Sequence, residues 1–465
     1  MTEKMPEATK SWLDPIYLQA EPNQEIKLGL QDVLVVDSGE VCSCEVSMIF
    51  VPDKKLHLRA IPDQNHDAAS VRLFKRFVDG GNKPLKLSLP NRGVEFDAWD
   101  IGTNSYGGST FTTRISVVTV TRSTNDIKRV IVHLFNFPNF NSSTDYSLNV
   151  GGSYRECGKL HLVGGDWKIT LVAIEQTDAL CKSLEERGGH VVTHVAEIER
   201  SDGTTFSTDA AEKLLMGLQY FLSFALGRWA GVAFPVGYSE SGETVFEQWG
   251  LPMLSEGAWR GGGSWFDVRH GEVLAEAFPG FLKQWGIQLW HDAIRECLYW
   301  YVAANERGTG VGIDTGLILC QTALERLAWT YCVKDRRMVS GQAFAAHGGL
   351  KAADKIRLLI TSLGIPSAIP TSLDDLAKPP KHIKGGNWDD APHALTEIRN
   401  SIIHPDAKLE PTHGAYVDAW KMSLWLIELC VLRLIGFNGC YGNRLKRRRW
   451  AGEVEPVPWS DVATP

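Results

Sequence analysis

The chain of 465 residues is too long for one small domain, and length alone implies two or three. With 44% hydrophobic and 22% charged side chains it is composed like an ordinary soluble globular protein. Its formal charge of −7 excludes a uniformly basic nucleic-acid coat but leaves room for a local basic patch.

The opening MTEKMPEATK has no apolar stretch, so no secretory signal is expected. Residues 1–205 read as a β-rich module. DVLVVDSG, VCSCEVSMIFV, KLHLRAI, LKLSL, TRISVVTVTR and KRVIVHLFNF are short β-branched or alternating runs separated by Gly, Asn, Asp and Pro. GKLHLVGGDWKITLVAI reads as a hairpin, TDALCKSLEERGG as a crossing helix, and HVVTHVAEIER as a further strand. Repeated short strands with turns predict a sandwich-like module. Cys42 and Cys44 form CSC without a second pair at zinc-like spacing, so no metal is expected. The nine cysteines are scattered, and Cys297, Cys320, Cys332 and Cys430 sit in apolar surroundings. That pattern fits reduced, packed thiols of a cytoplasmic protein.

Residues 206–275 read as a connecting helix and β-hairpin. FSTDAAEKLLMGLQYFLSFALGRW has helical spacing with a cap at Ser207 or Thr208. VAFPVGYSESGETVFEQWG turns at Glu240–Gly242, and EGAWRGGGSWFD is a Gly-rich loop that reads as a flexible connector. Residues 276–450 read as a bundle of five helices, near 278–306, 313–333, 351–364, 391–404 and 415–436, followed by a tail at 451–465. Asp390 is the expected N-cap of the fourth, with Pro392 in its first turn. The apolar run MSLWLIELCVLRLIGF contains Glu428 and Arg433 and is short for a membrane span, so a buried helix is expected.

The stretch EIRNSIIHP (397–405) carries the chemistry. Leu395, Ile398 and Ile402 fall at helical spacing and should face the core. Asn400 and His404 share another face, with Arg399 adjacent in angle. Pro405 disfavours helical geometry at His404, which places the imidazole at a helix C-terminus, where the dipole favours positive charge. A permanently charged Arg suits bidentate phosphate contact, and a His exchanges protons near neutral pH. RNA transesterification needs both, because the attacking 2′-OH must lose a proton and the phosphorane charge must be neutralised. The bland reading pairs Arg399 with Glu397 or Asp406 and makes His404 a helix end. A bare Arg-x(4–6)-His is weak: Arg187 and His194 match it too, in a strand-like stretch.

RNSIIHP resembles the R-N-x-x-x-H motif of HEPN-superfamily ribonucleases. Glu325 in QTALERLAW, the long connection before the penultimate helix and the terminal GFNGCYGNR look like the HEPN domains of bacterial ApeA-type anti-phage proteins. The resemblance covers residues 278–445. It implies an all-α HEPN bundle behind the β-rich module, hence an α+β multidomain protein. It also implies a metal-independent, cofactor-free endoribonuclease acting as a homodimer on RNA, tRNA among the candidates. Its products would carry a 2′,3′-cyclic phosphate and a 5′-OH. Arg399 would stabilise the phosphate, Asn400 orient, and His404 act as general acid/base. Glu325 would tune the site by pairing with Arg399, or else form a surface salt bridge. The β-rich module would receive a phage-derived or cellular trigger for abortive infection.

NRLKRRRW (443–450) adds Arg444, Lys446, Arg447, Arg448 and Arg449 as candidate RNA-backbone contacts, with Trp450 for stacking; a solvated charge run is the plain alternative. GYSESG lacks the second Gly of a nucleophile elbow, and GTGVG (308–312) joins two helices rather than a strand to a helix. His133, His161 and His194 lack ligand spacing and read as structural. The rival function is a non-catalytic HEPN module binding RNA, nucleotide or protein. A third reading places activity in the β-rich half, where no convergent carboxylate pair is visible.

Overall fold

The computed structural model describes residues 13–460 apart from 37–38, 52–53, 61–84, 91, 93, 99, 104–108, 113–116, 122–123, 150–151, 252, 256–262, 307–311, 347, 379–386, 405–408 and 447–448. Alternation of apolar and polar residues builds an antiparallel first sheet. Its strands are β1 (Ile26–Val35), β2 (Glu40–Ile49), β3 (Lys55–Ala60), β4 (Leu85–Leu89), β5 (Val94–Ala98), β6 (Asp100–Thr103) and β7 (Ser109–Thr112). They lie in the order β5-β4-β1-β2-β3-β7-β6. β1 starts earlier than DVLVVDSG implies, because Gly29, at φ +99°, absorbs a bulge that keeps Ile26 and Leu28 on the buried face.

The second sheet is built from β8 (Val117–Thr119), β9 (Arg129–Phe135), β12 (Lys159–Gly164), β13 (Trp167–Ala173), β14 (Val192–Arg200), β15 (Gly231–Tyr238) and β16 (Thr244–Gly250). Their order is β12-β13-β14-β9-β15-β16-β8, and β10 (Asn141–Asn149) pairs with β11 (Gly152–Cys157) beside it. β9 is central and buried on both faces. Val130, Val132 and Leu134 point to the helices, while Phe135 joins the core shared with the first sheet. Val33, Val46 and Leu58 of the first sheet meet Phe234 and Trp249 of the second in that shared core.

The hairpin 231–250 is therefore not a connector. It completes the sheet begun at β8, so a boundary at residue 205 would cut through hydrogen-bonded strands. Local pattern does not reveal this, because β15 pairs with β9, about a hundred residues upstream. Helix α1 (Thr177–Arg187) sits on this sheet through Leu180 and Leu184. Helix α2 (Thr208–Leu226), capped by Ser207 through the Ala210 N–H at 3.2 Å, covers its other face.

The expected helix 278–306 is two helices, α3 (Glu272–Trp285) and α4 (Gln288–Asn305). The chain breaks where Gly286 ends the first and Ile287 turns extended. α3 also docks against the backbone that follows the last helix: a Cβ at Gly280 would collide with the Ile435 carbonyl. The bundle continues with α5 (Ile313–Ala328), which runs on as a π-helical segment, Trp329–Asp335. Then come α6 (Gly341–Ala345), α7 (Ala352–Ser362), α8 (Ala391–Ile403) and α9 (His413–Leu434). α9 is buried along nearly its whole length, including Glu428, as expected for MSLWLIELCVLRLIGF.

Residues 451–460 are not a loose tail. β17 (Cys440–Tyr441) pairs with β18 (Glu455–Pro456), and Trp459 Nε1 donates to the Phe437 carbonyl at 2.8 Å. Nor is the Gly-rich loop a mere connector where it is described: Trp265 is fully buried and donates to the Phe224 carbonyl at 3.1 Å. The protein is thus α+β, with a β-rich N-terminal part and a helical C-terminal part. Among the described residues no helix is long and apolar enough to cross a membrane.

Candidate functional site

The end of α8 is held from both sides. At its start, Asp390 caps the helix by accepting from the His393 N–H at 3.0 Å, as its sequence implies. The same carboxylate receives a two-pronged contact from Arg357 on α7, Nε to Oδ2 at 2.5 Å and Nη2 to Oδ1 at 2.9 Å. Leu395 and Ile398 are buried in the bundle, and Ile402 packs against its edge. The helix ends at His404, whose backbone turns extended (φ −108°, ψ 110°) while its N–H donates to the Asn400 carbonyl at 3.0 Å. The ring of His404 stands at the exposed end.

Arg399 is half-buried. Its Nε is shut off from solvent without a hydrogen-bond partner among the described residues, and Nη1 makes a long 3.4 Å contact with Asn400 Oδ1. It forms no ion pair with a described residue. The pairing with Glu397 considered from the sequence is thus not made; Asp406 and Pro405 lie outside the described residues. Arg399 and His404 are five positions apart, about 7.5 Å along a helix axis, within the span of one phosphodiester and its neighbouring ribose. The arrangement offers a cation with unused donors, an amide oxygen in long contact with it, and an exposed imidazole.

Glu325 does not pair with Arg399. Its Oε2 lies 3.3 Å from Lys355 Nζ on α7, and its Oε1 accepts from Gln321 Nε2 at 2.9 Å. Two further buried polar atoms, Gln321 Oε1 on α5 and Thr396 Oγ1 on α8, have no partner among the described residues. The helices that carry them pack together, so the seam between α5, α7 and α8 is polar. Sequence reading missed Gln321 and Thr396; one signal was present, since Thr396 lies three residues before Arg399 on the same helix face.

The basic stretch divides sharply. Arg444 is buried inside the bundle. Its Nε donates to Glu428 Oε2 at 3.0 Å, its Nη1 to Asn305 Oδ1 at 3.0 Å, and its Nη2 contacts Glu428 Oε1 and the Tyr301 hydroxyl. Asn305 in turn donates to the Gly227 carbonyl at 2.7 Å, which ties the bundle to the end of α2. Burial, and after it the Glu428 charge, pushes the Tyr301 phenol well above its ordinary value, so it stays a neutral donor. Arg444 is therefore unavailable to an RNA backbone. Lys446 pairs with Glu453 at 3.3 Å and Glu455 at 3.1 Å, and Arg449 lies 3.6 Å from the buried Asp267. Arg447 and Arg448 lie outside the described residues, while Trp450 is exposed.

Two of the strand histidines, His133 and His194, are structural, whereas His161 stands on the exposed face of β12 with its Nδ1 3.2 Å from Thr170 Oγ1. His133 is fully buried: its Nε2 accepts from the Ile16 and Tyr17 N–H groups at 3.0 Å each, and its Nδ1 faces the Phe234 carbonyl at 3.1 Å. Burial lowers it to about 4. His194 packs between Phe137 and Phe140, and burial lowers it to about 3. Its sequence match with Arg187 brings no site, because Arg187 lies on the surface beside Glu21. Among the described residues no group of three or more His, Cys, Asp or Glu is placed to hold a metal ion.

Comparison with known proteins places the chain beside the YopA proteins. The YopA central-domain model matches residues 122–260, and the YopA C-terminal-domain model matches residues 287–456. The first interval takes in most of the second sheet with α1 and α2; the second runs from α4 to the β17–β18 pair. A particular relative is the SPbeta prophage-derived uncharacterized protein YopA of Bacillus subtilis (strain 168). It is 29% identical over 351 residues, covering 73% of this chain and 71% of that protein. No solved structure matches.

Proposed function

We propose that the helical half is a metal-independent endoribonuclease of the HEPN type, cutting RNA by attack of the 2′-OH on the adjacent phosphate. The observation that carries this reading is Arg399, a cation without a carboxylate partner among the described residues, about one and a half helical turns before the exposed His404 at the end of a pinned helix. His404 takes the 2′-OH proton and returns one to the 5′-oxygen leaving group. Arg399 neutralises the phosphorane, and Asn400 orients the guanidinium. Two copies facing each other through the bundle would complete the cleft. The β-rich half is the place for control, and conflict with phage, by abortive infection, is the setting we favour. The similar Bacillus subtilis protein is described as prophage-derived, which suits that setting.

The burial of Arg444 and the pairing of Lys446 favour a second reading, in which the bundle binds RNA, nucleotide or protein without cutting. With Arg444 and Lys446 already paired, fewer cations remain for a long RNA backbone, so within this reading a nucleotide or a protein is the better-fitting occupant. Wild-type and His404→Ala protein incubated with labelled total RNA and tRNA in excess EDTA separate the two. Fragments ending in cyclic phosphate from wild type alone support the nuclease. Retained but intact RNA, with infected-cell lysate added as a source of trigger, supports the binder.

A further inference from the structure

A cavity of about 420 Å³ opens between α2, the β15–β16 hairpin and α4, in a different part of the molecule from Arg399. That volume is in the range of small-molecule sites. Leu215 and Met216 of α2, Val232 and Pro235 of β15, and Met253 form its walls. Met216 is 46% exposed on a helix that otherwise buries most of its apolar side chains, so a thioether is left at the opening. Methionines give an adaptable apolar lining.

The wall is shaped by an unusual piece of backbone. Phe234 has φ +51°, a conformation that bulky residues rarely adopt. It precedes Pro235, and the ladder between β15 and β9 shifts register between Ala233 and Val236. The Phe234 ring is used elsewhere, in the core between the two sheets. Bulges and strained residues are held in place by their surroundings and concentrate at binding sites. Phe234 and Pro235, at this bulge, line the cavity.

Two charged groups line the cavity. Glu212 is tied into the wall: its Oε1 accepts from Thr119 Oγ1 at 3.1 Å and Gln248 Nε2 at 2.7 Å. Arg295 of α4 forms no ion pair with a described residue. It lines the cavity together with Tyr220 of α2. We propose that this cavity binds a small amphipathic organic anion, with its apolar body between α2 and the hairpin and its charged group on Arg295. The site is separate from the α8 end and stands whether or not the bundle cuts RNA.

Decanoate binding to the full-length chain, measured by isothermal titration calorimetry, tests it. One saturable site per chain is expected. Met216→Trp fills the opening and should weaken binding at least about tenfold. Arg295→Glu, at an exposed side chain that leaves the core untouched, should weaken decanoate by a similar factor but leave decanol unchanged. Absence of saturable decanoate binding, affinity unchanged in both variants, or tighter binding of decylamine than of decanoate would overturn the proposal.

Discussion

Arg399 and Arg444 are the same side chain in two adjoining parts of one bundle, and the structure uses them in opposite ways. Arg444 lies in a stretch that looks like a solvent-facing basic run, yet it is buried against Glu428, Tyr301 and Asn305. Arg399 lies on an amphipathic helix, where a salt bridge would be the ordinary expectation, yet no carboxylate among the described residues meets it. A buried cation whose donors are satisfied holds a fold together. A half-buried cation with donors to spare is able to meet a ligand.

The sharpest way to break this contrast is at Arg399 itself. If its free donors serve the phosphorane, Arg399→Ala should lower RNA cleavage by about 10²- to 10⁴-fold, a range typical of a lost charge-stabilising or proton-transferring group, with the thermal midpoint nearly unchanged. Arg444→Ala should do the reverse. Leaving Glu428 buried without its partner should cost about 3–5 kcal/mol in urea unfolding. A folded Arg444→Ala protein of wild-type stability would contradict the structural role assigned here.

The buried histidines extend the contrast from bundle to sheets. Both have folded-state values below the ordinary 6.5, so the unfolded chain binds the extra proton first. Their contribution is complete above about 6.5 and is lost as pH falls, toward about 4 for His133 and about 3 for His194. Unfolding free energies from urea titrations at successive pH values should fall by up to about 1.4 kcal/mol per pH unit per histidine in that window. His133→Gln, which keeps a polar side chain at that position, should flatten the slope. The smallest effect is expected at the start of α8. Asp390→Ala removes a cap and the Arg357 contact and should cost about 1–2 kcal/mol, with a matching drop in cleavage only if α8 shifts. Equal loss of stability in Asp390→Ala and Arg444→Ala would blur the distinction between a half-exposed clamp and a buried one.

Much of the local structure was legible. Alternation found the hairpin of β12 and β13, the helical period found α2 and α8, and Asp390 with Pro392 marked where α8 begins. Pro405 marked where it ends, because the residue before a proline avoids helical geometry. The single helix read across 278–306 failed at Gly286, since one glycine inside an apolar run resembles a tolerated interruption as much as a break. Arg444 and Lys446 in the basic run misled for a similar reason: charge in a linear string carries no information about which side chains will be enclosed or paired.

The sequence by itself determined the periods, the caps and the presence of an Arg, an Asn and a His at one helix end, because these follow from spacing along a single element. Only the tertiary structure decided that residues 231–250 complete a sheet begun at residue 117, that Glu325 meets Lys355 instead of Arg399, and that Arg444 is enclosed. Each of these is a contact between segments far apart in the chain. Such contacts are chosen by the packing of whole faces against one another, and no local pattern encodes that choice.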